Sequence, residues 1–405
     1  MSHQPKQHVV PACPSVAVNR RSFLRAGASL TATATLPVIA PTASAKTPPR
    51  TPTAVRTGKQ YDYAQIRSLL GTMLDEIGGV RPLVKQKFVT IKTNLVNSPV
   101  HTWGGLPVWL TTTTHPAVAM ALGSLLVEYG ARRVTFCDQL PYQDLSPEVF
   151  RQYGYDLSEF NQAMDGRCRF ANTRNRGDHS DYALVRVPEG GFLANAWEVN
   201  RTYADTDVLV SLTKLKSHIS GGVTLGMKNL YGVPPSSLYG DDLVDEPDES
   251  ATGYRGKAMH NCVRKPFTSV DTFTGKSIEG DHGFNVPHFI LDLNRAFPIE
   301  LVVIDGISTI ANGEGAWMGS RVEVCRPNLL IAGRNPVCTD AVAASLMGFH
   351  PDAPDEHQPF INGVNYLRKA RELGMGENRI DQLDVVGEPL SKARWHFPPT
   401  FRFSA

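Results

Sequence analysis

Between Asp207 and Tyr239 the chain reads DVLVSLTKLKSHISGGVTLGMKNLYGVPPSSLY, and this stretch constrains the fold more than any other. Val208 to Leu212 is an apolar run of strand length, to be buried in a sheet. The chain then turns polar at once. Lys214, Lys216 and His218 follow at alternate positions, so in an extended chain their side chains point to one side. Gly221 and Gly222 release the backbone into an expected helix carrying Lys228 and Asn229, which Gly232 and Pro234-Pro235 end. From Val208 to Gly240 no carboxylate offsets the three lysines and the histidine. A strand end, a glycine turn at Gly222 and a helix N-terminus lined with cations make an anion site, and open α/β sheets hold their ligands beyond such strand ends. The competing reading is a surface loop whose lysines only keep it soluble.

The rest of the chain supplies a sheet for that strand. Apolar residues at Ile66, Leu69, Leu70, Met73, Leu74 and Ile77 predict a helix over 63–77, ended by Gly78-Gly79. KFVTIK predicts a strand over 87–92 that delivers Lys92, Thr93 and Asn94 to its end. A helix is expected over about 116–130, capped by Thr114 or His115, and then a strand, Arg133–Cys137, ending at Asp138. Strand, helix and strand with short connections signal a parallel sheet. Further on, a helix at 287–297 leads to a strand ELVVI ending at Asp305, with Glu314 just beyond. Another strand, 328–332, leads to a helix opened by Pro336 that contains Asp340. The expected architecture is a single α/β domain, about 61–395, with a mostly parallel central sheet flanked by helices. A long insertion at about 240–285, Gly-, Thr- and Lys-rich without periodicity, lies over the site.

The first 45 residues read as an address. Asn19-Arg20-Arg21-Ser22-Phe23-Leu24-Arg25 carries the twin arginines of a Tat export signal, a mildly apolar run follows, and Ala43-Ser44-Ala45 resembles a cleavage site. The run is too weak for a stable membrane span. The expectation is therefore passage through the Tat translocon to a periplasmic or extracellular location. Residues 46–60 read as a solvated Pro/Thr linker. The whole chain has a formal charge of +2; without the leader it holds 37 basic against 39 acidic residues. No bulk positive charge points to nucleic acid. Five cysteines remain after the leader, none in a CxxC, so no iron–sulfur, zinc-ribbon or c-haem signature is present.

The polar residues exclude several chemistries. Gly221-x4-Gly226-Met227-Lys228 fails as a P-loop, because Met227 intervenes before the lysine and Asn229 follows it. No GxGxxG follows a strand, and neither GxSxG nor HExxH occurs. Proton transfer on a small anion fits the remaining cast best. Lys214, His218 and His260 are the catalytic candidates, since neighbouring cations depress a histidine's pKa and favour the neutral base. Lys92, Asn94, Lys216, Gly222, Lys228 and Asn229 would bind a carboxylate or phosphate. Asp305, Glu314 and Asp340 stand where they could hold a divalent metal, although Asp340 could equally satisfy backbone in its helix. With lysines at a ligand site, Lys214→Met would remove binding charge and leave folding nearly intact.

Lys92-Thr93-Asn94, TKLKSH…GGVTLGMKNLYGVPP, VIDGI with a following GEG, and AGRNPVCTDAVAASLMG together resemble the domain-of-unknown-function 362 family, in order from about Phe88 to Gly387. The resemblance implies a single α/β domain. Some members add ferredoxin-type modules, whose cysteines this chain lacks. Thr93 stands where the family usually has Pro, and Asn335 where it usually has Asp, which removes a carboxylate from that corner. The way lysine and histidine collect around an α/β site is also similar, at fold level, to the nickel-pincer lactate racemase family. The functional expectation is an exported enzyme with isomerase- or lyase-like chemistry. The rivals are a non-catalytic ligand- or cofactor-binding protein of the cell envelope and a redox accessory protein.

Overall fold

The apolar runs fall side by side in one eight-stranded sheet. Its strands are β1 (Thr53–Thr57), β2 (Phe88–Lys92), β3 (Arg133–Asp138), β4 (Cys168–Asn172), β5 (Val208–Lys214), β6 (Leu301–Gly306), β7 (Leu329–Gly333) and β8 (Val385–Gly387). Their spatial order is β8-β1-β7-β6-β5-β2-β3-β4. Strands β6, β5, β2, β3 and β4 are mutually parallel, β7 runs against both β6 and β1, and β8 is parallel to β1. The computed structural model describes residues 49–96, 102–140, 144–174, 181–235, 268–270, 277–279, 285–315 and 322–400. The leader, His260 and most of the expected insertion lie outside these residues.

Alternation along the strands splits the interior into two cores. Val89, Ile91, Val210, Leu212 and Val303 pack under α1 (Tyr63–Glu76) and α2 (Pro116–Glu128). Leu209, Val302, Ile304 and Ile331 pack under α3 (Asn285–Ala296), α4 (Pro336–Leu346) and α5 (Tyr366–Glu372). Local chemistry starts these helices where the sequence indicates. Asp62 caps α1 by accepting from Gln65 N, and Asn335 caps α4 by accepting from Cys338 N. At α2 the cap is His115, whose Nδ1 accepts from Ala117 N, because the Thr114 hydroxyl is engaged with Tyr155 at 3.0 Å.

Three expectations are corrected. The supposed linker holds β1, with Ala54 and Val55 wholly buried between β7 and β8; its flanking Pro and Thr residues hide a strand that only pairing partners reveal. Strand β7 is antiparallel to β6, and no helix lies among the described residues between them; its end, Gly333, lies opposite Val302, away from the edge where the parallel strands end. Gly222 opens no helix. The chain doubles back there as a hairpin, Lys216–His218 against Gly222–Thr224, and Lys228–Gly232 is a 3-10 turn. Gly222 has φ +73°, and a Cβ on it would stand 2.8 Å from the Phe360 ring, so the hairpin needs a glycine there. Strand β4 was also missed, in a stretch whose periodicity is weak.

Candidate functional site

The lysines at the strand ends are buried. On the α1/α2 face, Lys214 and Asp305 are register partners on β5 and β6 and form an ion pair at 2.8 Å, with both side chains fully inaccessible. The lysine Nζ also donates to Trp109 O and to the Tyr61 hydroxyl, each at 3.1 Å. Asp305 accepts in addition from the Tyr61 hydroxyl at 2.8 Å, His115 N at 3.0 Å and Ile307 N at 3.2 Å. Burial lowers the pKa of Lys214, and the adjacent carboxylate opposes that shift. The Tyr61 and His115 rings stack at 3.7 Å over the pair. Burial holds His115 neutral, pulling its pKa down to about 3.

Lys92 leaves the sheet on the other face, because it is level with Ser211 on β5 and three positions separate Ser211 from Lys214. It pairs with Asp138 at 2.7 Å and donates to Thr93 O. Asn229 ties this corner together: its Nδ2 donates to Lys92 O, Ser211 Oγ and Leu212 O, and its Oδ1 accepts from Asn94 Nδ2 at 3.2 Å. Thr93, in place of the family's proline, donates through both its N–H and its hydroxyl to Cys137 O.

Lys216 is different. Its ammonium, in a residue only 1% exposed, donates to two backbone carbonyls, Thr112 O at 3.1 Å and Glu314 O at 3.2 Å, and to no carboxylate among the described residues. Burial, with Lys228 and Lys214 nearby, pulls its pKa down to about 7, against the attraction of Glu314. His218 donates from Nε2 to Glu314 at 2.7 Å, while its Nδ1 accepts from Ser220 N and Gly221 N. Both nitrogens are thus engaged in a neutral ring, and burial pulls its pKa down to about 4. Lys228 lies 4.3 Å from the centre of the Tyr231 ring, a cation–π contact. Around these groups Asn94 Oδ1, Thr112 Oγ1, Thr113 Oγ1 and Ser217 Oγ are buried without a hydrogen-bond partner among the described residues.

Sequence reasoning thus named most of these side chains but placed them in one concavity, whereas they divide between the two faces of one sheet edge. It missed Tyr61, His115 and Asp138 as partners; the strand-ending position of Asp138 was the available signal. Asp340 is not part of the arrangement, because its helix follows the antiparallel strand. Its oxygens accept from Gly226 N and Met227 N, each at 2.8 Å. The metal expectation is corrected accordingly: no three His, Cys, Asp or Glu side chains among the described residues form a group able to hold an ion. Asp305 is taken by Lys214 and Tyr61, Glu314 by His218, and Asp340 by backbone. Asn335 serves as a cap, a task Asp performs equally well. The four described cysteines, Cys137, Cys168, Cys325 and Cys338, are free and buried. A separate cleft of about 290 Å³ runs between His288 and the helix of Arg368, Lys369 and Glu372 and is lined by none of the site residues.

With the geometry in view, the chain can be compared with known proteins. It matches the domain of unknown function DUF362 over residues 89–345, which includes every one of the site lysines. The chain belongs to that family. Among curated proteins, this DUF362 chain is 27% identical over 182 residues to a thylakoid-associated protein of Synechocystis sp., covering 44% of its own length and 50% of that protein. It therefore spans about half the length of the curated relative it matches. Among solved structures it is similar to the lactate racemase apoprotein from Thermoanaerobacterium thermosaccharolyticum, with a TM-score of 0.36, 11% identity, and coverage of 69% of this chain and 54% of that one. A Thermotoga maritima protein gives a TM-score of 0.32 and 14% identity, with coverage of 66% and 55%. Similarity at this level assigns no shared site.

Proposed function

We propose that this DUF362 protein is an exported enzyme that binds a small carboxylate or phosphate at the C-terminal edge of the parallel strands and moves a proton on it. The observation that carries the reading is Lys216, a buried ammonium that touches two carbonyls and, among the described residues, no carboxylate oxygen. Lys92 and Lys214 each have an aspartate at hydrogen-bond distance; Lys216 does not. A buried charge with no carboxylate in direct contact either attracts an anion or gives up its proton near neutral pH. Either outcome suits a group that first holds an acid substrate and then exchanges a proton with it. Lys228 adds positive charge. The Thr112 and Thr113 hydroxyls, without a partner among the described residues and next to the carbonyl that holds Lys216, supply donors for the remaining oxygens of a bound anion. The proton-moving role passes from His218 to Lys216, since both nitrogens of His218 are already committed. Isomerase- or lyase-like chemistry beside a carbonyl remains the reaction class, and export rests on the twin-arginine leader.

The same buried hydroxyls and lysine would also serve a binding protein that holds its ligand without turnover, and one experiment separates the two. Thermal-shift titration with sulfate, phosphate and a panel of 2-hydroxy and 2-oxo carboxylates is run on the wild type and on Lys216→Met. A stabilising acid is then incubated with the protein in D2O and its C–H signals are followed by NMR. Stabilisation lost in Lys216→Met, with solvent deuterium entering beside the carboxylate, supports the enzyme. Stabilisation without exchange favours the binder. The anion reading fails if no acid stabilises the wild type, or if Lys216→Met responds equally.

A further inference from the structure

Asp340 is a fully buried carboxylate with no cation at hydrogen-bond distance among the described residues. Such a group is costly to bury and is kept only where its hydrogen bonds offset the burial. Its two oxygens grip consecutive amides, Gly226 N and Met227 N, at the point where the chain returns from the Gly222 hairpin toward the sheet. Neighbouring bonds secure the same turn: Ser211 Oγ donates to Gly226 O at 2.9 Å and Asn294 Nδ2 to Met227 O at 3.0 Å. The next two residues are Lys228 and Asn229. Asn229 bridges β2 and β5 through Lys92 O and Leu212 O and accepts from Asn94. The turn packs closely there: a Cβ on Gly226 would stand 2.9 Å from Asp340 Oδ1 and 2.7 Å from Val302, so only glycine fits.

We infer that Asp340 is a positioning residue for the site, setting Lys228 and Asn229 in place from α4 through the Gly226–Met227 turn. The ligand part of this inference rests on the proposed anion-binding role; the positioning part does not. The clamp is strongest as a carboxylate, because protonation turns one of the two oxygens into a hydroxyl, a weaker acceptor for its amide. Burial raises the carboxyl to about 7, and the two amide bonds oppose the shift. Around it lie Val302, the turn that leads to Lys228, and the Tyr366 phenol of α5, whose own pKa is pushed well above its usual range by burial.

The test is an NMR titration of the ligand-free full chain from about pH 5.5 to 8.5, a window that spans the raised carboxyl pKa. It follows the backbone amides of Gly226 and Met227 and the side-chain amide of Asn229 in the wild type and in Asp340→Asn. The three wild-type signals should titrate together. Asp340→Asn, which keeps one acceptor and turns an NH2 toward the other amide, should abolish the titration and displace the Asn229 signal. Sulfate, whose charge is constant in this range, should bind the variant about tenfold more weakly, equivalent to about 1.4 kcal/mol. The inference is overturned if the Asn229 signal is unmoved by pH while the two amides titrate, or if it is identical in the variant. If Asp340→Asn does not fold, the wild-type titration alone decides. If the NMR response is present but sulfate binds neither protein, the positioning role stands and the anion site falls.

Discussion

Lys214→Met should destabilise the protein strongly, contrary to what a ligand-facing lysine predicts. Lys214 and Asp305 are both at 0% exposure and 2.8 Å apart, so the substitution leaves a carboxylate in the core without its cation. Breaking a buried pair by removing one partner costs about 3–5 kcal/mol. Asp305 retains the Tyr61 hydroxyl and the amides of His115 and Ile307, which places the cost at about 3 kcal/mol. At about 2 °C per kcal/mol for a large domain, Tm would fall by about 6 °C. Asp305→Asn in the same chain removes the stranded charge; its Oδ1 still accepts from the Tyr61 hydroxyl and Ile307 N, while its NH2 faces the His115 amide in place of the second oxygen. The double variant should therefore recover about 2 kcal/mol relative to the sum of the single effects. The assay is reversible urea unfolding of the four proteins, compared at constant m. A loss below about 1 kcal/mol for Lys214→Met would match a solvated pair. That result, or strict additivity of the two substitutions, would refute the buried-pair argument.

The remaining predictions address pH, backbone and export. Lys216 has a folded pKa of about 7 against an ordinary value of 10.5, so the unfolded chain binds more protons between those limits. The stability of the wild type relative to Lys216→Met should accordingly rise as pH increases from about 7 to 10.5, and a flat difference would remove the depressed pKa. Gly222→Ala combines a positive φ with a close approach to Phe360 and the Pro359 carbonyl; it should cost about 2 kcal/mol in the same unfolding assay, and an unchanged midpoint would contradict the hairpin. Arg20→Lys with Arg21→Lys should hold the precursor in the cytoplasm on cell fractionation, because the twin-arginine signal tolerates little substitution. Normal export of that double variant would remove the Tat assignment.

Local patterning was enough to reveal the strands that end at Lys92, Asp138 and Lys214, the Asp305 strand end, and the helices between them. Short apolar runs need burial, 3.6-residue periodicity needs a face to pack on, and both are properties of a few neighbouring residues. The run of family motifs from Lys92 to Asp340 was legible for the same reason. The partners of the charges were not. Lys214 and Asp305 are 91 residues apart, Lys92 and Asp138 are 46 apart, and only adjacency of their strands in the sheet brings each pair into contact. A lysine that looked unneutralised along its own segment is therefore neutralised across the sheet. Tertiary structure also decided the direction of β7, which takes Asp340 away from the carboxylates, and the Gly222 hairpin, which replaces an expected helix. It decided the faces as well. An odd spacing of three between Ser211 and Lys214 sends Lys92 and Lys214 to opposite sides of one sheet edge, and it becomes visible only when β2 and β5 are known to be neighbours.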